Sequence, residues 1–404
     1  MVVRKVRRLK LGGKIFILCG ILFVLISASF CLFNFFLFRS KDVSKQQDKN
    51  VIKNEEYPKR YSFDLFMVGD ALIHSSIYED AKVAAHSYDF KPMLEYIKPI
   101  SSTYDIAYYN QETILGGANL GYSNYPQFNS PDEVGDAFID AGFNLVSLAT
   151  NHTMDKGEAG VIHSVNYWST KKDVIWDGQR TSWKERDKTR IYECNGIKYA
   201  FFSYTTWTNG LETPVGKEYL SNVYTPEKAK NDIDKVKGEV DIIIVAMHWG
   251  TEYSMGVSDE QVEIANYLSS LGVQLIIGTH PHVVEPVEYI NDGKTLVIYS
   301  LGNFISDQVG VERLTGLMME VTINKVETEE GITVSVDSPK AELIYTDSNY
   351  GGKRNFKVYP YSKLDGSILS HYQSYYDEYK SVVSSRYPEL VWGLSRSWLS
   401  GNFK

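Results

Sequence analysis

Short apolar segments, separated by polar stretches, recur along the chain from residue 61 onward. Six of them are rich in β-branched or aromatic residues: YSFDLFMVG, DIAYYN, NLVSLAT, DIIIVAM, VQLIIG and TLVIYS. Several are near-continuous apolar runs, which are typical of β-strands buried on both faces of a sheet. We therefore predict a β-sheet whose strands are covered on both sides.

Helix signals lie between these segments. Residues 130–133 (SPDE) offer an N-cap serine, a proline at the first helical position and a capping-box glutamate, and Gly142 can end that helix. Residues 258–261 (SDEQ) begin a second amphipathic pattern that ends at Gly272. The alternation of strands and helices predicts a layered α/β domain.

The pattern changes after about residue 316. Residues 316–327 (GLMMEVTINKVE) and 331–346 (GITVSVDSPKAELIYT) alternate like the strands of a hairpin that extends or caps the sheet. Residues 360–404 are rich in Tyr, Trp and Ser and have a partly helical pattern. We expect a body over 61–316 and a C-terminal β-hairpin extension with an aromatic tail over 317–404.

The N-terminal region has a different composition. Residues 15–38 are almost wholly apolar, and as a helix they would span roughly 36 Å, enough for a hydrocarbon core of about 30 Å. The first 39 residues carry seven basic residues and no acidic ones, which predicts a cytoplasmic N-terminus and an exported body. We expect a basic tail over 1–14, a transmembrane signal anchor over 15–38 and a polar stalk over 39–60. A signal peptide cleaved near residues 27–29 (SAS) is the alternative.

Charge argues against one class of partner, and cysteine content indicates how the fold is stabilised. The formal charge is −8, so the chain beyond residue 39 sums to −15. An acidic body argues against nucleic acid as a partner, because nonspecific binding to phosphates needs basic residues. Cys194 is the single cysteine of the body, which leaves the fold to be stabilised by its apolar core.

Polar residues able to bind metal recur just after the apolar segments. They are Asp70 and His74 after the first segment, Glu112 after the second, Asn151 and His152 after the third, His248 after the fourth, and His280 and His282 after the fifth. In α/β sheets, ligand sites form outside the carboxyl ends of the strands. We therefore expect these side chains to meet at one edge of the sheet.

The types of these residues indicate a metal. Imidazole, carboxylate and amide donors without thiolates suit Mn, Fe or Zn in a catalytic site, and two such cations about 3.5–4 Å apart can promote hydrolysis. Structural roles are the alternatives: Asp70 can cap a helix, Asn151 and His152 can form a turn, and Glu112 and His74 can be structural residues.

The same segments carry a family resemblance. VGDALIH, NQET, ATNHTMDKG, AMHWGTEY, GTHPHVVEPVE and IYSLGNFISDQ run in order from about Phe63 to Gln308. Together they resemble the CapA/PgsA family of bacterial capsule synthesis proteins, which takes part in poly-γ-glutamate capsule biosynthesis. That family is similar to calcineurin-like metallophosphoesterases. The resemblance implies an α/β fold, a β-sandwich flanked by helices, here preceded by one transmembrane helix.

The resemblance also implies roles for individual residues. Metal ligation is implied for Asp70, Asn151, His248, His280 and His282. His152 is implied as the stabiliser of the transition state or the acid for the leaving group, with Asp155 orienting its ring. Two positions depart from metallophosphoesterases: Leu72 replaces the first-motif histidine, with His74 two residues later, and Glu112 loosely matches the second-motif carboxylate.

Three functions fit these observations. The first is a metal-dependent hydrolase or transferase in the cell membrane, acting outside the cell on an envelope polymer or its precursor. The second is a non-catalytic scaffold that binds or exports a capsule polymer together with synthase subunits. The third is a general extracellular metallophosphoesterase.

Three aromatic residues lie in or near these motifs. Trp207, Trp249 and Tyr253 either line a substrate groove or pack in the core.

Overall fold

The computed structural model describes residues 57–348 and 353–396 of the 404-residue chain. The strands are β1 Lys59–Ala71, β2 Lys82–Ala84, β3 Ser87–Tyr88, β4 Ile106–Asn110, β5 Leu145–Ser147, β6 Ile175–Asp177, β7 Tyr192–Cys194, β8 Ile197–Thr205, β9 Ile242–His248, β10 Leu275–Thr279, β11 Val287–Ile290, β12 Thr295–Ile298, β13 Asn303–Ile305, β14 Thr315–Thr328, β15 Gly331–Asp347, β16 Lys357–Pro360 and β17 Val391–Trp392.

The helices lie mostly between these strands. They are α1 Ser75–Asp80, α2 Lys98–Ser101, α3 Glu133–Asp140, α4 Gly157–Ser169, α5 Trp183–Arg186, α6 Pro226–Asp234, α7 Asp259–Leu271, α8 Val311–Leu314 and α9 Tyr372–Val383. Within the described ranges, no helix has the length and apolarity needed to cross a membrane. The predicted basic tail over 1–14, the anchor over 15–38 and all but the end of the stalk over 39–60 lie outside those ranges.

Two large sheets form most of the described part of the chain. In sheet 1 the strands run in the order β16-β15-β14-β1-β4-β5-β6, with β13 beside β1 and β17 beside β15. In sheet 2 the order is β11-β12-β10-β9-β8-β7, and β2 and β3 form a small separate ribbon. The central strands β1, β4, β5 and β6 are parallel, as are β8, β9, β10 and β12. Their carboxyl ends therefore point the same way within each sheet.

Strand β1 shows why sheet 1 is covered on both faces. Phe63, Leu65 and Met67 point into the core between the two sheets, and the alternate residues Phe66 and Val68 point into a second core beneath α1 to α4. Successive side chains of a strand point to opposite faces, so both faces of β1 must be apolar.

Sheet 2 repeats the arrangement on the other side. Ile242 and Ile244 of β9 join the core between the sheets, whereas Ile243 and Val245 pack with Leu268 of α7. The result is a sandwich of two sheets with helices on both outer faces. Full burial of such an apolar side chain contributes about 1.5–3 kcal/mol, so these layers supply the stability of a body without disulfides.

The local predictions agree with the structure in most places. All six predicted strands are present, and the two segments after residue 316 form β14 and β15, which pair with each other and extend sheet 1 through β14 and β1. The predicted helix from residues 258–261 to Gly272 is confirmed as α7, and it begins with a capping box: Ser258 Oγ accepts from Gln261 N and the Gln261 side chain accepts from Ser258 N. The division of the chain at residues 316 and 317 stays a prediction.

Two local predictions need correction. Ser130 is not the N-cap of α3, which begins at Glu133; its hydroxyl instead donates to Thr113 Oγ1 at 2.8 Å. The sequence reading also omitted β8, a central strand of sheet 2. That strand contains Ser203 and Thr205, and these buried hydroxyl residues interrupt its apolar pattern.

A close backbone approach sets the position of β13 beside β1. A Cβ atom added to Gly69 would lie 1.8 Å from the Gly302 carbonyl oxygen, so only glycine fits there. Asp70 N donates to that same oxygen at 3.0 Å. The pairing places Asn303 opposite Asp70 and brings the start of β13 to the carboxyl end of β1.

Candidate metal and catalytic site

The candidate site lies where the carboxyl ends of the two sheets meet. Asp70 is near the end of β1, and the loop after β5 carries Asn151, His152 and Asp155. From sheet 2, His248 is the last residue of β9, and the loop after β10 carries His280 and His282. The residues predicted from their positions after strands therefore come from both sheets.

Asp70 occupies a buried position between the sheets. Its Oδ1 accepts from Asn110 Nδ2 at 2.7 Å, and its Oδ2 accepts from the His280 backbone N at 3.2 Å. The same Oδ2 lies 3.6 Å from His282 Nδ1. The helix-cap alternative for Asp70 is wrong, since the residue lies in β1 and its side chain faces the candidate ligands.

Two neutral histidines contact each other, and one of them contacts an amide oxygen. His248 Nε2 lies 2.9 Å from Asn151 Oδ1 and 3.2 Å from His280 Nδ1, while its Nδ1 lies 3.0 Å from Thr279 Oγ1. Burial, helped by the neighbouring histidines, lowers the pKa of His248 well below its usual value and that of His280 to about 3. Both rings are therefore uncharged at neutral pH, which is the form in which an imidazole binds a cation.

Glu112 and His282 form the buried carboxylate–imidazole pair of the site. Glu112 Oε1 lies 3.6 Å from His282 Nε2 and 3.8 Å from His248 Nε2. Burial raises the pKa of Glu112 well above its usual value. Burial opposes the charged form of His282, but Glu112 and Asp70 outweigh it and raise its pKa to about 9.

The two carboxylate oxygens of Glu112 show whether the site suits a cation. Neither has a hydrogen-bond partner among the described residues, although the side chain is fully buried. Buried carboxylates are normally paired or coordinate metal. Ligand atoms of Glu112, His280 and His282 lie within 4.8 Å of one another. The donor set fits a divalent transition metal.

The backbone between the two histidines is strained. His280 has φ 103° and His282 has φ 61°, in the left-handed region that residues with a Cβ rarely adopt. Such conformations cost about 1–3 kcal/mol each and persist where surrounding contacts fix them. Here Asp70 accepts from His280 N, and Tyr253 N donates to the Pro281 carbonyl at 2.7 Å. With these backbone conformations, both imidazole rings point toward the site.

His152 and Asp155 form a second pair beside this group. His152 Nδ1 lies 2.7 Å from Asp155 Oδ2, which also accepts from Phe128 N at 2.6 Å. The Phe128 ring packs edge-on against the imidazole, with centroids 4.7 Å apart. The carboxylate fixes Nδ1 as the protonated nitrogen and leaves Nε2 for proton transfer.

The hydrogen bonds of His74 involve none of the other candidate ligands. Its Nδ1 lies 3.1 Å from the Leu72 carbonyl oxygen and 3.3 Å from Asp307 N, and its ring packs edge-on to Phe128 at 5.4 Å. Among the described residues, no hydrogen bond or ion pair joins it to Asp70, Glu112 or the other histidines. The structure does not bring His74 into the group, and metal ligation by His74 stays a prediction.

Several site residues were missed by the sequence reading. Asn110 Nδ2 contacts both Asp70 and His248, and Asn303 Oδ1 lies 3.0 Å from His282 Nδ1. Both were inside quoted segments, and Asn110 ends β4 in the same way that His248 ends β9. The positional rule that selected the histidines would have selected Asn110. Of the two alternatives for Trp249, packing in the core agrees with the structure, because this residue is fully buried, whereas Trp207 and Tyr253 are half exposed.

Comparison with known sequences places this geometry in a family. The family model described as bacterial capsule synthesis protein PGA_cap matches residues 64–308, which include every candidate site residue. The chain belongs to the PGA_cap family. The motifs that carried the resemblance in the sequence are thus the motifs that form the buried polar group.

Two relatives in this family are named for capsule formation. The PGA biosynthesis protein CapA of Bacillus subtilis (strain 168) is 32% identical over 177 residues, covering 42% of this chain and 44% of that protein. The capsule biosynthesis protein CapA of Bacillus anthracis is 26% identical over 252 residues, covering 60% of this chain and 59% of that protein. The chain therefore spans about half the length of each relative.

Solved structures give weaker matches. A phosphatase from Mycoplasma pneumoniae has a TM-score of 0.44 and 15% identity, covering 71% of this chain and 95% of that one. A putative 5′-nucleotidase from Staphylococcus aureus has the same TM-score and identity, covering 78% and 58%.

Proposed function

We propose that this chain is a metal-dependent hydrolase of capsule biosynthesis, with a metallophosphatase-type fold, that acts outside the cell on an envelope polymer or its phosphorylated precursor. The observation that carries the proposal is the buried Glu112, whose carboxylate oxygens have no partner among the described residues and lie beside His280 and His282. A structural carboxylate in the core would have been paired by the fold.

The ligands of the proposed cation follow from the contacts. Glu112, His280 and His282 provide the closest donor group, and Asp70, His248 and Asn151 lie in contact with it. One or two transition metals such as Mn, Fe or Zn bound there would act as Lewis acids and activate water. The chain's contribution is to fix these donors through Asn110, Thr279 and Asn303, which contact the ligand side chains.

His152 would move the proton of the reaction. Asp155 occupies its Nδ1, so Nε2 gives a proton to a leaving oxygen or takes one from water. Phe128 covers one side of the ring, which excludes water from that side and keeps the imidazole in one orientation. The pair therefore has the arrangement of a general acid or base positioned by a carboxylate.

The location and the partners belong to the same proposal. Residues 15–38 would anchor the chain in the cell membrane, with the N-terminus in the cytoplasm and the described body outside. The polymer or its precursor would be the substrate, and capsule synthase subunits would be neighbours at the membrane. The family and the two CapA relatives support a role in capsule synthesis.

Metal analysis and a double variant test this proposal. The full-length protein, purified in detergent, is analysed for bound metal and assayed on phosphoesters and on γ-glutamyl polymers. We expect stoichiometric transition metal and metal-dependent hydrolysis, both abolished in His248→Ala/His280→Ala. His163→Ala, at a histidine bonded to Asp132 outside the site, is the matched control. A wild-type protein that is folded and binds no metal would contradict the proposed enzyme function. Wild-type polymer output from cells that carry the double variant would favour the non-catalytic scaffold function.

A further inference from the structure

A side chain from outside the family motifs contacts the candidate site. Asn209, in the loop after β8, has its Oδ1 3.3 Å from Asn151 Nδ2, which donates to it. Its own Nδ2 lies 3.5 Å from His152 Nδ1. One amide therefore touches a proposed metal ligand and the proposed proton-transfer residue.

The loop itself is fixed next to the ligands. Thr206 N donates to the His248 carbonyl at 3.0 Å, and Thr205 Oγ1 donates to the Trp207 carbonyl at 2.9 Å. Asn209 thus comes from sheet 2, whereas Asn151 comes from the loop after β5 in sheet 1. Its side chain connects the two halves of the site across the gap between the sheets.

A purely conformational reason for Asn209 also exists. Leu211 N donates to the Thr208 carbonyl at 2.8 Å, which closes a turn with Asn209 at φ 51° and Gly210 at φ 74° in its centre. Turns with positive φ at both central residues favour Asn or Gly at the first of them. The turn accounts for the residue type, but it requires no contact by the side chain.

The contacts to Asn151 indicate a further role. Because Asn209 Oδ1 accepts from the Asn151 NH₂ group, the Asn151 carbonyl oxygen is the end of that amide that faces His248, 2.9 Å from Nε2. An amide that turned over would present N–H groups to the cation. We propose that Asn209 is a positioning residue that orients the Asn151 amide for metal ligation, an inference that rests on the proposed function.

Two substitutions separate the turn from the side chain. Asn209→Gly keeps a residue that adopts positive φ and removes the amide, and Asn209→Asp keeps an acceptor for Asn151 Nδ2. Asn195→Gly is the matched control, because Asn195 (φ 48°) and Gly196 (φ 82°) form the turn at the opposite end of β8. Each full-length protein in detergent is titrated with Mn²⁺ against a competing chelator, and its melting temperature is recorded.

Outer contacts to metal ligands typically contribute about 10–100-fold in affinity. We expect Asn209→Gly to lose Mn²⁺ affinity in that range with an unchanged melting temperature of the metal-free protein, and Asn209→Asp to lose much less. Asn195→Gly should bind as the wild type does. Wild-type affinity in Asn209→Gly, or equal losses in the Gly and Asp variants, overturns the positioning role while leaving the proposed function intact. A wild-type protein that binds no metal overturns both.

Discussion

Glu112 Oε1 lies 3.6 Å from His282 Nε2 inside the protein, and no described residue donates a hydrogen bond to either oxygen of that carboxylate. Burial raises the pKa of Glu112, and the neighbouring His282 opposes that rise. The carboxylates of Glu112 and Asp70 raise the pKa of His282 despite its burial. A cation between these residues would replace protons that the metal-free site retains.

We expect Glu112→Gln to lose metal binding and to remain folded. The change removes a buried carboxylate, so we expect the metal-free variant to unfold at a temperature equal to or above that of the wild type. A bound ligand at about 100 times its Kd stabilises a protein by about 2.7 kcal/mol, and the variant should lose this metal-induced gain. Thermal unfolding with chelator and with added Mn²⁺ measures both effects.

The control for that change is Glu252→Gln, at an exposed carboxylate that acts on the same histidine electrostatically. It should keep the metal-induced rise in melting temperature. An equal rise in Glu112→Gln and in the wild type would show that Glu112 is not a ligand.

Metal binding should release protons at neutral pH. The pKa of His282 is about 9 in the metal-free protein, so the ring is protonated below that value and must lose its proton to bind a cation. Apparent affinity should therefore rise by about tenfold for each pH unit per displaced proton and level off above about 9. Calorimetry in buffers of different ionisation enthalpy counts the protons, and a pH-independent affinity across the neutral range would contradict this expectation.

Asp155→Asn should damage catalysis without removing metal. Phe128 N and His152 Nδ1 share Asp155 Oδ2, so an amide oxygen at that place can keep both contacts but lacks the negative charge of the carboxylate. Without that charge the imidazolium that forms during proton transfer is less stable, and general acid–base catalysis contributes about 10²–10⁴-fold. We expect kcat to fall within that range at unchanged metal content.

The surface pair of Asp132 and His163 offers the matched control for that substitution. Asp132 Oδ2 lies 2.8 Å from His163 Nε2 outside the site, so Asp132→Asn should leave kcat unchanged. A similar decrease in both variants would indicate a general loss of structure. A wild-type kcat in Asp155→Asn would contradict the proposed role of His152 in proton transfer.

Glu285→Gln should change how stability depends on pH. Burial raises the pKa of Glu285 from 4.5 to about 8, and its Oε2 accepts from Gln261 Nε2 at 2.6 Å. Because the folded value exceeds the unfolded one, the wild type loses free energy of unfolding as pH rises from 4.5 to about 8. The variant has no such group, so its stability relative to the wild type should increase over that window.

Denaturant unfolding at pH values below, within and above the window measures this difference. Glu288→Gln, at a half-buried carboxylate paired with Arg386, provides the comparison at a neighbouring position. A difference between Glu285→Gln and the wild type that is the same at every pH would contradict the titration.

Local patterns predicted much of the fold because they reflect local physics. The alternation in β1 gives two apolar faces, and the Ser258–Gln261 capping box needs only four adjacent residues. β8 was not predicted, although NLVSLAT, which also contains a serine and a threonine, was predicted as a strand. The burial of Ser203 depends on a distant loop, through the bond from Ala149 N to Ser203 Oγ at 3.2 Å. Because β8 was not predicted, the rule that selects polar residues after strands could not select Asn209.

Local residue patterns were enough to predict six strands of the two sheets, the polar residues that follow them, and the family to which the motifs belong. Which of those residues meet depends on how the strands are ordered and packed in the folded protein. Asp70 and His280 are 210 positions apart and yet joined by a hydrogen bond, whereas the ring of His74, four residues from Asp70, contacts Leu72 and Asp307. The reason is that distances between strand ends depend on sheet order and on the packing of one sheet against the other, and neither is encoded in the spacing of residues along the chain.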